Sequence, residues 1–228
     1  MKKYLTLSNL FLTLCCLITT VLAIIYSSLL TWLIWASSIL GILSSKFATD
    51  GKWLTFVFDI ISYGLYIYIC IKEKYYGELI LSVIIIIIHI FSLFEWKKNQ
   101  QDNVVKIKRL TKKELGLSLV VSSILLVLYI GILYLIKSDM PILNAIPTII
   151  YLLGNYYCLR RSVLQFYCWI GYEVVFMSLW VISAINGELG SIIFLVGGFS
   201  EFIYSIIGIR NWNKIQKIQS KTGHDIQV

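Results

Sequence analysis

Long apolar stretches, separated by short polar segments, recur at about 10–27, 29–44, 53–71, 78–95, 115–136, 142–159, 163–185 and 191–209. A helix needs roughly 20 residues to cross a hydrocarbon core of about 30 Å, so the pattern predicts an all-α polytopic membrane protein with eight spans. The second stretch is short and broken by Gly and Ser, the sixth by Pro and Asn, so seven or nine spans stay open as alternatives. The first stretch follows Met1-Lys2-Lys3 as a signal peptide would, yet it reaches Tyr26 without an Ala-x-Ala cleavage pattern and another span follows at once. It is read as a retained helix.

Composition agrees: only 14% of residues are charged, well below the quarter or so usual in soluble domains. The net charge of +8 would suit nucleic acid if it were spread over a soluble surface, but its placement gives another reason. With loops assigned alternately to the two sides, seventeen of the twenty Lys and Arg fall on one side; Lys72, Lys74 and Lys137 fall on the other. Cations accumulate in cytoplasmic loops, so both termini are predicted to be cytoplasmic, and no nucleic-acid partner is implied.

The longest connection, Lys97 to Glu114, carries seven of these cations and divides the chain. Trp53 precedes Trp96 by 43 residues, and Trp169 precedes Trp212 by the same 43. This spacing suggests two parallel three-helix units, 29–96 and 142–212, one of the repeat arrangements that transporters use. The chain then reads as an extra N-terminal helix at 10–27, a first bundle at 29–96, a basic loop and linker helix at 97–136, a second bundle at 142–212 and a cytoplasmic tail at 213–228. Gly77-Glu78 and Gly187-Glu188 fall out of that register.

Ionisable groups inside the spans point to chemistry, because each costs at least roughly 2.5–3.5 kcal/mol at the centre of a bilayer and so faces a cavity, a partner or a pathway. In the seventh span Phe166, Trp169 and Glu173 share a helical face that Phe176 and Trp180 continue. In the third, Phe56, Asp59, Tyr63 and Tyr66 do the same. Brought together, these two acidic aromatic faces would line a cavity in which a flat ring stacks and its polar substituents bond. Packing offers the plainer alternative for each: Glu173 bonded to a neighbouring helix, and Asp59 paired with His89 of the fourth span. Trp32, Trp35, Asn144, Thr148, Asn155, His89 and Glu201 serve equally well as bonds between helices. Asn155 and Glu201 join the candidate site because they lie in the same unit as Glu173.

Cys15, Cys16, Cys70, Cys158 and Cys168 all sit in apolar stretches, with no Cys-x-x-Cys pair and no His at metal-ligand spacing, so no cofactor or metal is expected. A phosphate-binding Gly-x-x-x-x-Gly-Lys motif is missing, as are a Gly-x-Ser-x-Gly elbow and a His-Glu-x-x-His helix. An unpowered carrier is left as the reading.

The run Lys52-Trp53 through Tyr75-Tyr76-Gly77-Glu78 to Trp96, followed by Asn144, Leu159-Arg160-Arg161, Phe166-x-x-Trp169 and Trp212, resembles the PnuC-type vitamin transporters over about 29–214. Those are bacterial importers of nicotinamide riboside and, in branches, of thiamine, riboflavin or deoxynucleosides. The resemblance implies a fold similar to the SWEET proteins, with a 3+1+3 helix arrangement and an extra N-terminal helix. It also implies facilitated diffusion in the bacterial plasma membrane, with a cytoplasmic kinase trapping the substrate. Phe166, Trp169, Glu173, Asn155, Asp59, Tyr63, Trp180 and Glu201 are the expected substrate-binding residues. Nicotinamide riboside members carry Trp-x-x-Trp followed by Asn in the penultimate helix; here Phe166 stands for the first Trp and Glu173 for the Asn. An ionised Glu173 would suit a cationic pyridinium or thiazolium ring. Assembly into a homo-oligomer stays open. The alternatives are the substrate-binding subunit of an ATP-driven vitamin importer, for which no Ala-x-x-x-Ala docking signature is found, and an intramembrane enzyme using Asp59, His89 or Glu173.

Overall fold

Eight α-helices account for nearly all of the residues that the computed structural model describes, which are 2–73, 76–137, 141–185 and 191–221. They are α1 (Lys2–Ile25), α2 (Leu29–Thr49), α3 (Leu54–Glu73), α4 (Tyr76–Lys98), α5 (Lys112–Leu135), α6 (Pro141–Leu159), α7 (Leu164–Ile185) and α8 (Ser191–Lys221). Seven stretches among the described residues are long and apolar enough to cross a membrane: Ser8–Ile25, Leu29–Thr49, Leu54–Lys72, Glu78–Lys98, Lys112–Leu135, Pro141–Leu159 and Ile192–Ser220. Leu117, Val120, Val127 and Leu135 of α5 face outward, as they would in lipid but not in water.

Local signals start several of these helices. Ser28 caps α2 by accepting from the Thr31 amide, and Thr111 and Glu114 form a reciprocal capping box at α5. α8 runs on to Lys221, well past the end of its apolar stretch and into the segment expected as a tail.

Helices α2, α3 and α4 pack together, and α6, α7 and α8 form a second group. The groups meet where α8 crosses α2 and α4 crosses α6; α1 lies on α2 and α8, and α5 lies on α6. The basic connection is more than a loop. It holds a small hairpin, β1 (Gln100–Gln101) with β2 (Val104–Val105), turned at Asp102 and Asn103 with φ of 50° and 61°. Such left-handed values at both central residues suit Asp and Asn and match the twist of the flanking strands. The hairpin straps one end of the bundle: the Val105 amide donates to Gly51, that of Lys108 to Arg161, and Gln219 of α8 bonds both Val105 and Ile107.

Beneath the strap the two groups mirror each other. Gly51 and Arg161, with φ of 68° and 58°, each turn the chain into the middle helix of their group. Four residues further, the amides of Thr55 and Gln165 bond back to Lys52 and Ser162, and those of Phe56 and Phe166 to Trp53 and Val163. The Trp96 indole donates to the Cys158 carbonyl, and the Trp212 indole to the Ala48 carbonyl, both at 2.9 Å. Each tryptophan thus ties its own group to the other, and with Phe56 and Phe166 they form a dry core in which none is more than 1% exposed. In this register Trp53 corresponds to Val163, and Trp169 to Asp59. The equal 43-residue spacing therefore paired Trp96 with Trp212, which do correspond, but also Trp53 with Trp169, which do not. Gly77-Glu78 and Gly187-Glu188 share in sequence the interval that relates Gly51 to Arg161, and Gly187-Glu188 lie outside the described residues.

Candidate functional site

Between the two groups, just beyond the tryptophan core, lies a cavity of about 90 Å³. Its wall includes Asp59 and Tyr63 of α3, His89 of α4, Tyr151 and Asn155 of α6, Phe166, Trp169 and Glu173 of α7, and Glu201 of α8. Seven of the eight expected site residues are in that list. The eighth, Trp180, belongs to α7, and its side chain lies outside the described residues. Phe176 and Tyr66, which extend the two sequence stripes, open instead into a second and larger space described below.

Small residues let these side chains reach the cavity. A Cβ at Gly154 of α6 would stand 2.9 Å from the Trp169 ring, so only glycine admits the indole there. Likewise a Cβ at Gly198 of α8 would stand 2.9 Å from Glu173 Oε2. Phe166 is held edge-on between Trp169, at 5.4 Å, and Trp212, at 5.3 Å, which links the site to the core below.

The polar groups are only partly satisfied. His89 Nε2 lies 2.8 Å from Asn155 Oδ1, an oxygen that can only accept, so Nε2 carries the proton. That leaves Nδ1 at 3.5 Å from Asp59 Oδ2, long for a hydrogen bond and an ion pair only when the imidazole is protonated. Asp59 therefore both pairs with His89 and faces the cavity; its two sequence readings are compatible. Trp169 Nε1 and Glu173 Oε2 are buried and find no hydrogen-bond partner among the described residues. A donor and an acceptor left unpaired in a dry interior cost roughly 1–3 kcal/mol each, which is recovered only if something else bonds them. Three carboxyl groups and one imidazole line a space with no lysine or arginine in its wall. Among the described residues no cluster of His, Cys, Asp and Glu is arranged to hold a metal ion.

The sequence reading missed Tyr151, Ser44, Thr55, Ser62 and Ser205, all in the cavity wall. Tyr151, Gly154, Asn155 and Cys158 recur at helical spacing along α6, a small and polar stripe that could have revealed the first of them.

A family described as "Nicotinamide mononucleotide transporter" matches residues 31–214, four-fifths of the chain and all the helices around the cavity. The chain belongs to this family. It is therefore a membrane transporter and not an enzyme, a multi-pass protein of the bacterial plasma membrane. Two curated relatives are similar over most of their length. "Nicotinamide riboside transporter PnuC" of Neisseria mucosa is 25% identical over 197 residues, covering 83% of this chain and 75% of the relative. The protein of the same name from Haemophilus influenzae is 26% identical over 192 residues, covering 82% and 81%. A crystal structure of the vitamin B3 transporter PnuC superposes with a TM-score of 0.80 over 93% of this chain and 92% of that one at 24% identity, a likeness of fold.

Proposed function

We propose that this transporter is a facilitative carrier that takes up a flat-ringed vitamin or nucleoside: nicotinamide riboside or a compound like it, thiamine, riboflavin or a deoxynucleoside. The observation that carries this reading is the buried, unpaired Trp169 Nε1 and Glu173 Oε2 beside an aromatic surface, in a cavity between two groups of helices. The names of the two relatives favour nicotinamide riboside, and the acidic wall favours its cationic ring.

In the same reading the helices span the membrane eight times, with both ends and the basic strap in the cytoplasm. The 3+1+3 arrangement is α2–α4 as the bundle at 29–96, the basic connection with the linker α5 at 97–136 and α6–α8 as the bundle at 142–212, with α1 outside it. The packing of α3 on α2 and α4, and of α7 on α6 and α8, supports the division. Phe166, Trp169, Glu173, Asn155, Asp59, Tyr63 and Glu201 bind the substrate, Trp169 and Phe166 through the ring and the others through its polar groups. A cytoplasmic kinase keeps the product from leaving, since the chain has no nucleotide motif to drive accumulation.

Purified protein in liposomes, offered each labelled compound in turn, tests this reading. One of them should equilibrate across the membrane without ATP or an ion gradient. Accumulation above equilibrium that collapses with an ionophore would contradict the facilitative mechanism.

A further inference from the structure

The cavity between the helical groups is too small for the substrate class proposed above. Ligand pockets usually run about 300–1,000 Å³, and this one is about 90 Å³. A second space of about 610 Å³ adjoins it on the side away from the hairpin, walled by Tyr66, Glu78, Tyr129, Tyr172, Phe176 and Phe194, among others. Both spaces share Gly41, Ser62, Tyr63, Tyr151 and Glu201, and at that boundary the hydroxyls of Tyr63 and Tyr151 are hydrogen-bonded to each other.

Tyr63 comes from α3 and Tyr151 from α6, so their bond joins the two helical groups at the boundary, as His89 and Asn155 join them from α4 to α6 inside the inner cavity. On the inner side the Tyr63 ring lies edge-on to His89 at 5.8 Å. On the outer side Tyr151 rests on Tyr172 at 4.5 Å, and Tyr172 stacks on Phe176 at 5.3 Å, so aromatic faces lead from the large space up to the boundary. The two ends of the passage are closed very differently. Toward the hairpin stand four fully buried aromatic side chains, two indole bonds between the groups and the strap itself. Away from it the groups meet through the Tyr66–Phe194 ring contact and the packing of Ile34 and Ile69 on Ile193, and between the two spaces themselves stands the hydroxyl pair.

We propose that the Tyr63–Tyr151 pair is the gate between an outer vestibule, which first receives the flat-ringed substrate on the Tyr172–Phe176 stack, and the inner binding cavity. This rests on the transporter reading above. Passage from the vestibule into the inner cavity requires that the pair part, whereas release toward the hairpin requires the tryptophan core to open.

Cys158 offers a native reporter, because it lines the inner cavity beneath the pair. Intact cells carrying the protein are treated with a small, cationic, membrane-impermeant thiosulfonate, and modification at Cys158 is followed by peptide mass spectrometry. Tyr63→Phe and Tyr151→Phe keep the rings and remove one hydroxyl, and each should raise the modification rate about fivefold, the ratio set by the net worth of one hydrogen bond. The double variant should give the same increase as either single one, because the bond is lost only once. No increase in any of the three overturns the gate. Multiplied increases in the double variant overturn it too, since they report a general loosening. Uptake of nicotinamide riboside, thiamine, riboflavin and a deoxynucleoside is measured on cells carrying the unsubstituted protein. Intact uptake with unchanged Cys158 access in the variants removes the gate alone; the expected access pattern with none of the four compounds entering supports the gate and removes the substrate reading.

Discussion

The middle helices of the two groups, α3 and α7, begin alike and then diverge. Each starts after a residue of positive φ and puts a phenylalanine, Phe56 or Phe166, against a tryptophan from the last helix of its own group. One turn further the likeness ends: α3 presents Asp59 and Tyr63 where α7 presents Trp169 and Glu173. The acid and the aromatic ring have exchanged places. The frame that holds the passage shut is thus doubled, while the site is not, and a substrate meets a different chemistry on each wall. α3 offers a carboxyl group beside His89 and a hydroxyl bonded to Tyr151; α7 offers an indole N–H and one carboxyl oxygen, Glu173 Oε2, that are both unpaired.

If the frame is symmetric in energy as in geometry, Trp96→Ala and Trp212→Ala should each destabilise the protein by about 3–5 kcal/mol, the usual loss for a fully buried tryptophan. Thermal unfolding followed by size-exclusion chromatography in detergent would measure both. Losses that differ by more than about a factor of two would break the comparison and assign the closure to one group.

A smaller effect, about 1–3 kcal/mol, is expected where a site side chain leans on a glycine. Gly154→Ala drives a methyl into the Trp169 ring and Gly198→Ala into Glu173, so both should weaken binding through the α7 wall. Gly64→Ala on α3 meets nothing within 4 Å and should leave both stability and binding unchanged. Binding isotherms on folded protein would show whether the two walls differ in this way.

Smallest is the effect of charge. Glu173→Gln keeps shape and hydrogen bonding while removing a potential negative charge. A cationic substrate should bind about tenfold more weakly, a loss of about 1.4 kcal/mol, and a neutral nucleoside or flavin about equally well. Competition between thiamine and a deoxynucleoside on the same variant separates these outcomes.

Much of the fold was legible because an apolar stretch of helix length has few other uses, and the eight stretches became the eight helices. Asp59, Tyr63, Trp169 and Glu173 were legible for a related reason: polar groups at three- and four-residue spacing in such a stretch need a common destination. Tyr151 was not, because a tyrosine in a membrane helix has many ordinary roles, and its partner comes from a helix 88 positions away in the chain. The hairpin strap was hidden by its own composition, because Gln100, Gln101, Asp102 and Asn103 between flanking lysines read as a solvated loop. The repeat misled through its most conspicuous residues. Tryptophans 43 apart drew the eye, while the register is carried by Gly51 and Arg161, whose shared φ no side-chain pattern records.

The central claim is that substrate binds the α7 wall through Trp169, and replacing each tryptophan of the misleading pair tests it most directly. Affinity for the transported compound, measured by titration calorimetry on folded protein, should fall about ten- to a hundredfold in Trp169→Ala, as expected when a stacked ring loses roughly 1–3 kcal/mol. Trp53→Ala, which removes a ring packed beside the tryptophan core and outside the cavity wall, should leave affinity unchanged. Unchanged affinity in Trp169→Ala, or an equal loss in both, would contradict the account.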